Sequence, residues 1–431
     1  MTRVAILGGG AAGISAARSL QAAGHEARIF EARDRLGGRA YTDYELAAHP
    51  VEMGAEFIHG DAVSAAATWE WVREFTAPTT GEAHRYEIWS QLEGKLVDGT
   101  TLQEAFGTEP LSSLFQLTKS WLEAGGEDVS LAQILDTTWD DHFSPPLNDE
   151  RRHLIANMIA ELAATDIEEL GAYQQKESAY EGDAPDLMKE DFAHWRLLNG
   201  YTQLMQQAAI GLSVSLSDPV SRVRWDDEAA EVVSASGSSR WDRVVVTLPL
   251  GVLRSRSVEF LPELPEEKLR AIEGLNTGHI NKVVLKLDRV YWPPDLTFLW
   301  TPQSTQLWWR PGQGQEDEEP LLSAYTGGSD AASFEAWDQE SMIEEATRQL
   351  GDILGESLGG HVLGGRFLAW GTEDYTRMAY SSAPVGASGL RASLAAPVGS
   401  LRFAGEATNV LHPSSVNGAI ESGARAAAEI D

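Results

Sequence analysis

The sequence predicts an α/β protein in which a Rossmann-like unit is interleaved with a second part made of a mixed sheet and helices. Three observations carry this expectation. The chain opens on an apolar segment, a glycine turn and an Ala-rich segment; helical periodicity dominates the middle; strand-like segments then resume and alternate with helices to the end. Val4 to Leu7 is a short apolar run stopped by glycine, and reads as a strand. Ala11 to Ala23 follows as a helix closed by Gly24, and Ala27 to Phe30 as a second strand, which together make a β-α-β unit. From about Thr68 to Ala209, stretches such as "RRHLIANMIAELAA" and "YTQLMQQAAIGL" repeat their apolar residues at helical spacing. Strands resume at "VVSASGSSRWDRVVVTLP", at "INKVVLKL" and at "PLLSAYTGG". A helix follows at "ESMIEEATRQLGDIL", then a strand from Leu401 to Ala404 and a helix to Ile430, while "GQGQEDEEP" reads as an exposed acidic loop.

"INKVVLKL" raises a specific question. Side chains alternate along a strand, so Ile280, Lys282, Val284 and Lys286 share one face. Periodicity alone makes both lysines solvated, because lysine is almost never fully buried without a partner.

The chain has 431 residues, room for two or three domains, and 43% of them are hydrophobic, enough for a sizeable core. Lys and Arg number 33 against 65 Asp and Glu, a net charge of −32. That balance argues against nucleic-acid binding, which needs a basic face. It would help to draw in cationic substrates, and it serves solubility equally well. With no cysteine, disulfides, zinc–thiolate sites and thiol catalysis are excluded. No apolar run approaches the length of a membrane span, and the three consecutive glycines of the N-terminal segment make it a poor signal peptide. A soluble, cytoplasmic protein is expected.

"GGGAAG" places Gly8, Gly10 and Gly13 in the G-x-G-x-x-G spacing between a strand and a helix. The first glycine permits the tight turn, the second lets a pyrophosphate approach the backbone, and the third allows close helix–strand packing. The phosphates would sit over Ala11 and Ala12 at the helix N-terminus, where free N–H groups and the dipole favour anions. Glu31 ends the second strand, where its carboxylate can accept from a ribose hydroxyl.

"EARDRLGGRAYT" comes next, with Glu31, Ala32, Arg33, Gly38 and Arg39, and then "VEMGAEFIHG". Together with "VVVTLPLGVLRS" and "LRFAGEATNVLHPSSVNGAIESGARAA", these segments resemble, in chain order, the motifs of the flavin-containing amine oxidases, the family of polyamine and monoamine oxidases. The resemblance runs from about residue 3 to 430 and is weakest between about 80 and 190. It implies FAD in the glycine-rich site. Backbone at Gly54, Ala55, Glu56 and Phe57 would line the flavin, Val220 and Pro249 would lie against the cofactor, and Gly405 and Glu406 would meet its ribityl or phosphate region. The helix starting near Ser415, Val416 and Ala419 would face the flavin pyrimidine ring, its N-terminus favouring negative charge there.

The resemblance also implies that Lys282 is the family lysine that holds a water against flavin N5, which would bury it. "WGTEDYTRMAYSS" resembles the segment that supplies the aromatic wall, with Trp370, Tyr375 and Tyr380 as candidates and Tyr380 as the innermost ring of the substrate cage. Ser415 stands where a second cage aromatic would fall; it would either hydrogen-bond an amine or cap a helix. Ala379 replaces the cysteine that attaches flavin covalently in monoamine oxidases, so FAD should dissociate. His59 matches a substrate-side histidine of animal polyamine oxidases, or is a hydrogen-bonded loop residue. Glu181, Asp183 and Asp186 would offer carboxylates to a second amine, or form a solvated acidic loop.

The expected organisation is FAD-binding segments at 1–76, 197–271 and 373–431, with substrate-domain segments at 77–196, mostly helical, and 272–372. The expected reaction is oxidation of an amine C–N bond with dioxygen as acceptor, a polyamine or other primary or secondary amine being favoured. Alternatives are a monoamine or L-amino-acid oxidase, a desaturase or porphyrinogen oxidase on the same scaffold, a histone-lysine demethylase, and a non-catalytic FAD-bound scaffold. An amino-acid oxidase needs an arginine aimed at a carboxylate, which the sequence does not place; a demethylase needs an accessory domain and a long helical insertion for which the chain has no room.

Overall fold

The computed structural model describes residues 1–60, 62, 64–80, 87–174 and 194–430. The opening strand, Arg3–Leu7, pairs in parallel with Glu26–Phe30 on one side and Arg243–Val246 on the other. Ser213–Ser215 and Leu401–Phe403 complete a five-stranded parallel sheet in the order Leu401–Phe403, Arg243–Val246, Arg3–Leu7, Glu26–Phe30, Ser213–Ser215. A parallel sheet must be covered on both faces. Val4 and Ile6 pack under the helices Ala11–Ala22 and Val416–Ala428; Ala5 and Leu7 face Val223, Val232 and Trp241 of a four-stranded sheet.

The two helices approach closely because both are built from small residues. A Cβ on Gly423 would lie 2.2 Å from the Ala12 carbonyl oxygen, so glycine there sets the helix separation.

A seven-stranded mixed sheet forms the second part, in the order Val362–Ala369, Ile280–Leu287, Leu321–Gly327, Leu307–Trp309, Phe298–Trp300, Ile88–Leu92, Lys95–Asp98. Its strands come from residues 88–98 and 280–369, whereas those of the five-stranded sheet come from residues 3–30, 213–246 and 401–403. One face, with Leu285, Leu299, Trp308 and Leu322, packs on the helix Gln339–Leu354. The other, with Phe298, Trp300, Leu307 and Trp309, packs on helices that include Pro110–Glu123, Leu131–His142 and Asp149–Ala163.

Helices dominate between Thr68 and Ala209, and among them Ile88–Leu92 is a strand, paired in parallel with Phe298–Trp300 some 210 positions away in the chain, a partner no local pattern reveals. Three expectations are corrected. Ile280–Leu287 is not a half-solvated strand but is buried on both faces, since Ile280 packs on Ala164, Trp370 and Ala379 and Val284 on Val51 and Met53. Lys286 is consequently half-buried, ion-paired with Glu319 and donating to the Leu46 carbonyl at 3.2 Å. That pair also removes Glu319 from the solvated acidic loop, and Glu318 is held there by Arg310 at 2.7 Å.

Candidate active site

The glycine turn forms a cradle. Gly8 has φ +113°, a left-handed value that excludes a side chain, and a Cβ on Gly13 would come 2.0 Å from the Gly8 carbonyl oxygen. A Cβ on Gly10 would meet nothing within 4 Å, so open space lies over the turn. Gly10 caps the helix Ala11–Ala22 without a side-chain hydrogen bond, which leaves first-turn N–H groups of Ala11, Ala12 and Gly13 to an external acceptor. Thr247 locks the turn by donating to the carbonyls of Leu7 at 2.8 Å and Gly8 at 3.1 Å.

Glu31 is buried just past the end of its strand, followed by Ala32, and its carboxylate accepts from the backbone N–H of Gly9 at 2.6 Å and of Arg33 at 2.8 Å. Both oxygens retain a second lone pair for a hydroxyl. Its carbonyl accepts from Asp218 N at 2.9 Å, which brings the start of the Val220–Trp225 strand alongside. Arg33 bonds Glu373 and Thr376, both at 2.9 Å, and lies over the ring of Tyr375. Tyr375, 43% exposed, therefore edges the Glu31 end of the cradle and stands apart from Tyr380.

Farther along, Gly38 faces Gly10, and Arg39, Pro249, Gly405 and Glu406 line one cavity. Arg39 bonds Glu406 at 3.0 Å and the Ala379 carbonyl. The second Glu406 oxygen accepts from the Ser381 hydroxyl at 2.7 Å and Ser414 N at 3.1 Å. Burial would raise the Glu406 carboxyl, but Arg39 and Arg391 hold it below its ordinary value. The free helix N-terminus, the side-chain-free turn and a strand-end carboxylate beside it fit an adenine dinucleotide.

The second half of the site lies where the seven-stranded sheet meets residues 51–57. Lys282 is 1% exposed, and its Nζ donates to Glu56 Oε2 at 2.7 Å. Glu56 Oε1 accepts from Arg196 Nε and from the Trp309 indole N–H, both at 2.9 Å. The Lys282 Nζ also sits 4.8 Å from the Trp309 ring centroid, and the Arg196 guanidinium covers Phe57 at 4.5 Å. Burial alone would raise the Glu56 carboxyl; Lys282 and Arg196 instead hold it low. Glu56 was expected through its backbone, and its side chain was missed, as were Arg196 and Trp309. No local signal marks Arg196, whose strand His194–Arg196 meets Phe57–His59 only in the folded chain.

Tyr380 bonds the Glu161 carbonyl at 2.7 Å, and its own carbonyl accepts from Gly278 N at 2.9 Å. It is half-buried beside Tyr325, which stands opposite Lys282 in the sheet. A Cβ on Gly278 would strike both Ala164 Cβ and the Tyr380 carbonyl, so glycine there lets the segments meet. Trp370 is 4% exposed; its N–H bonds the Met53 carbonyl at 3.1 Å and its ring lies against Gly54, which makes it a packed seam residue. Ala55 donates to the Arg39 carbonyl at 3.1 Å.

His59 is exposed and pairs edge-on with His194 at 4.9 Å, with Phe57 between them and Trp309. Ser415 caps the helix Val416–Ala428: it accepts from Gly418 N at 3.0 Å and donates to the His412 carbonyl at 2.9 Å. The cap assigns Ser415 its hydrogen bonds within the chain, and Val416 and Ala419 follow in the first turn. Glu181, Asp183 and Asp186 lie outside the described residues.

The class defined by this fold and site is a nucleotide-binding α/β protein with a buried ionic cluster beside its cradle. The flavin containing amine oxidoreductase family matches residues 11–431, and the chain belongs to that family of amine-oxidising flavoenzymes. It is 30% identical over 445 residues to lysine-specific histone demethylase 1 homolog 2 of Arabidopsis thaliana, covering 99% of this chain and 58% of that protein. It is 28% identical over 442 residues to polyamine oxidase 5 of Oryza sativa subsp. japonica, covering 98% of this chain and 86% of that protein. The fold is shared with a putrescine oxidase solved with putrescine (24% identity, TM-score 0.82) and with cyclohexylamine oxidase from Brevibacterium oxydans IH-35A (20%, 0.82); both alignments cover 100% of this chain and 98% of the other. Among the described residues no helix is long and apolar enough to cross a membrane.

Proposed function

We propose that the protein binds FAD without a covalent bond and oxidises the C–N bond of a polyamine or related primary or secondary amine, with dioxygen as acceptor. The observation that carries this reading is Lys282: a lysine buried beside Glu56, opposite Tyr325, at the seam between the nucleotide cradle and the seven-stranded sheet. When bound, FAD would supply the acceptor for a hydride from the amine α-carbon. Gly8, Gly10 and Gly13 with Glu31 would hold its dinucleotide end, and Arg39 with Glu406 its middle. Glu56 fixes the Lys282 Nζ so that a remaining N–H can hold a water in the reaction space, and Tyr380 flanks the amine. The substrate loses a hydride and a proton to become an imine, which water hydrolyses to an aldehyde with release of ammonia from a primary amine or of a smaller amine from a secondary one. Dioxygen takes two electrons and two protons to give hydrogen peroxide.

Two experiments test this. A peroxide-release screen over monoamines, diamines, polyamines and amino acids should respond to amines, and acid precipitation should leave FAD in the supernatant. Lys282→Met should keep FAD and slow either anaerobic bleaching by amine or recovery in oxygen by about 10-fold, about 1.4 kcal/mol of barrier. Both steps at the parent rate would remove Lys282 from the mechanism. An L-amino-acid substrate is the second reading, favoured by one observation: Arg196 Nη2 is buried with no hydrogen-bond partner among the described residues, and could meet a carboxylate. A response confined to amino acids would select it.

A further inference from the structure

Lys268 is a second buried lysine, and nothing above uses it. It lies in the helix Glu266–Gly274, is 2% exposed, and reaches the end of the neighbouring helix Leu390–Ala395. Its Nζ donates to the carbonyls of Ser393 at 2.8 Å, Leu394 at 2.7 Å and Ala396 at 2.6 Å, and sits 4.0 Å from the centroid of the Phe403 ring. An ammonium has three N–H groups and no acceptor, so these carbonyls use every donor it has. A neutral amine has two N–H groups, and its lone pair would face a carbonyl oxygen. Loss of the proton must therefore free at least one carbonyl at the end of Leu390–Ala395.

That helix end backs the cavity lined by Arg39 and Glu406. Leu394 and Phe403, the residues Lys268 holds by carbonyl and by ring, line the same cavity. From the same helix the buried Arg391 donates to the Ser381 hydroxyl at 2.6 Å and to the Ser381 carbonyl at 3.2 Å. The Ser381 hydroxyl in turn donates to Glu406 at 2.7 Å, and Glu406 meets Arg39. A continuous line of contacts thus runs from Lys268 to the carboxylate in the middle of the site.

We propose that Lys268 is a proton-operated latch on the FAD site: its ammonium form holds the helix Leu390–Ala395 against the cavity, and loss of that proton loosens FAD. This rests on the reading that FAD binds there without a covalent bond. Lys268 is a positioning residue, acting through Leu394, Phe403 and Arg391. Charged groups reach it from each side. Arg425, from the helix Val416–Ala428, donates to the carbonyls of Ala395 at 3.2 Å and Phe403 at 2.6 Å and pairs with Glu429 at 3.1 Å. Glu267 accepts from the Ser393 hydroxyl at 3.0 Å, and Arg402, beside Phe403, turns to Glu429 at 3.9 Å. Burial first, and Arg425 next, push the Lys268 ammonium down to about 7, against Glu267 and Glu429, which hold it up. The latch is thereby set to open near neutral pH. The phosphates of FAD are anionic and favour the ammonium, so FAD and the proton strengthen each other's binding by the same factor. FAD affinity is then highest in mild acid and falls as pH rises through neutrality.

The test dilutes the holoenzyme into buffers from pH 6 to pH 9 and reads free FAD at equilibrium by its fluorescence, in the parent, Lys268→Met and Lys268→Arg, with Tm measured in each. The parent should bind FAD about 5-fold or more weakly at pH 9 than at pH 6. Lys268→Met, which has no N–H to give, should bind weakly at every pH, and Lys268→Arg should also lose the pH response. A merely structural lysine would lower Tm and leave the pH response in place. A second readout needs no variant: FAD leaving the parent near pH 7.5 should release protons to a pH-indicator dye in weakly buffered solution. A parent whose FAD affinity is the same at every pH, a pH response unchanged in Lys268→Met, or FAD release without protons overturns the latch alone. Flavin that stays with the acid-precipitated polypeptide, or a purified protein without flavin, overturns the cofactor reading and the latch with it.

Discussion

Glu56 accepts three buried hydrogen bonds, two of them from cations, and this makes an asymmetric prediction. The cluster holds one carboxylate against Lys282 and Arg196, whose side chains are 1% and 8% exposed. Glu56→Gln keeps the shape and removes the only negative charge among these groups, leaving two cations facing each other out of water. Breaking a buried pair in this way costs about 3–5 kcal/mol. Lys282→Met removes one cation and leaves Glu56 matched one to one with Arg196 and still bonded to Trp309. Its loss of a charge-assisted hydrogen bond, about 1.5–3 kcal/mol, is offset by no longer burying an ammonium. Glu56→Gln should therefore be the more destabilising by about 2 kcal/mol or more, read as unfolding free energy in urea at matched FAD content. The gap should also close in acid. Glu56 is held below its ordinary 4.5, so its contribution is fully present above that pH and disappears as pH falls through the lower folded-state value. Equal destabilisation by the two variants, or a gap that persists in acid, would refute the charge reasoning.

Three further outcomes are expected. Glu52 is buried, accepts from Tyr201 N and the Thr42 hydroxyl, and is pushed up to about 8 by burial, so it holds a proton in the fold that the unfolded chain releases above 4.5. Stability from this group falls as pH rises from 4.5 to 8, and Glu52→Gln should flatten that slope in denaturation curves. Ser415→Ala should lower stability by about 1 kcal/mol through the lost helix cap; a raised amine KM with unchanged Tm would instead return Ser415 to substrate binding. Gly423→Val should disrupt the approach of the two cradle helices, with FAD content and Tm falling together, since even its Cβ would lie 2.2 Å from the Ala12 carbonyl.

The cradle was legible in the sequence because its determinants are local. Gly8, Gly10, Gly13 and Glu31 lie within 24 residues of one another, and each answers to a constraint on its own turn or strand end. The helix cap at Ser415 is local in the same sense, formed with Gly418 and His412. The burial of Lys282 could not be read from alternation, because what covers its face is the segment 51–57, more than 220 residues earlier, and the ion pair that makes burial tolerable spans the same gap. Likewise Ile88–Leu92 became a strand only because Phe298–Trp300 offered it an edge. Short-range backbone constraints were thus fixed by residue type and spacing. Which lysine left water, and which carboxylate it met, was decided by the packing of two distant segments, since the free energy of a buried charge depends on neighbours that only the fold supplies.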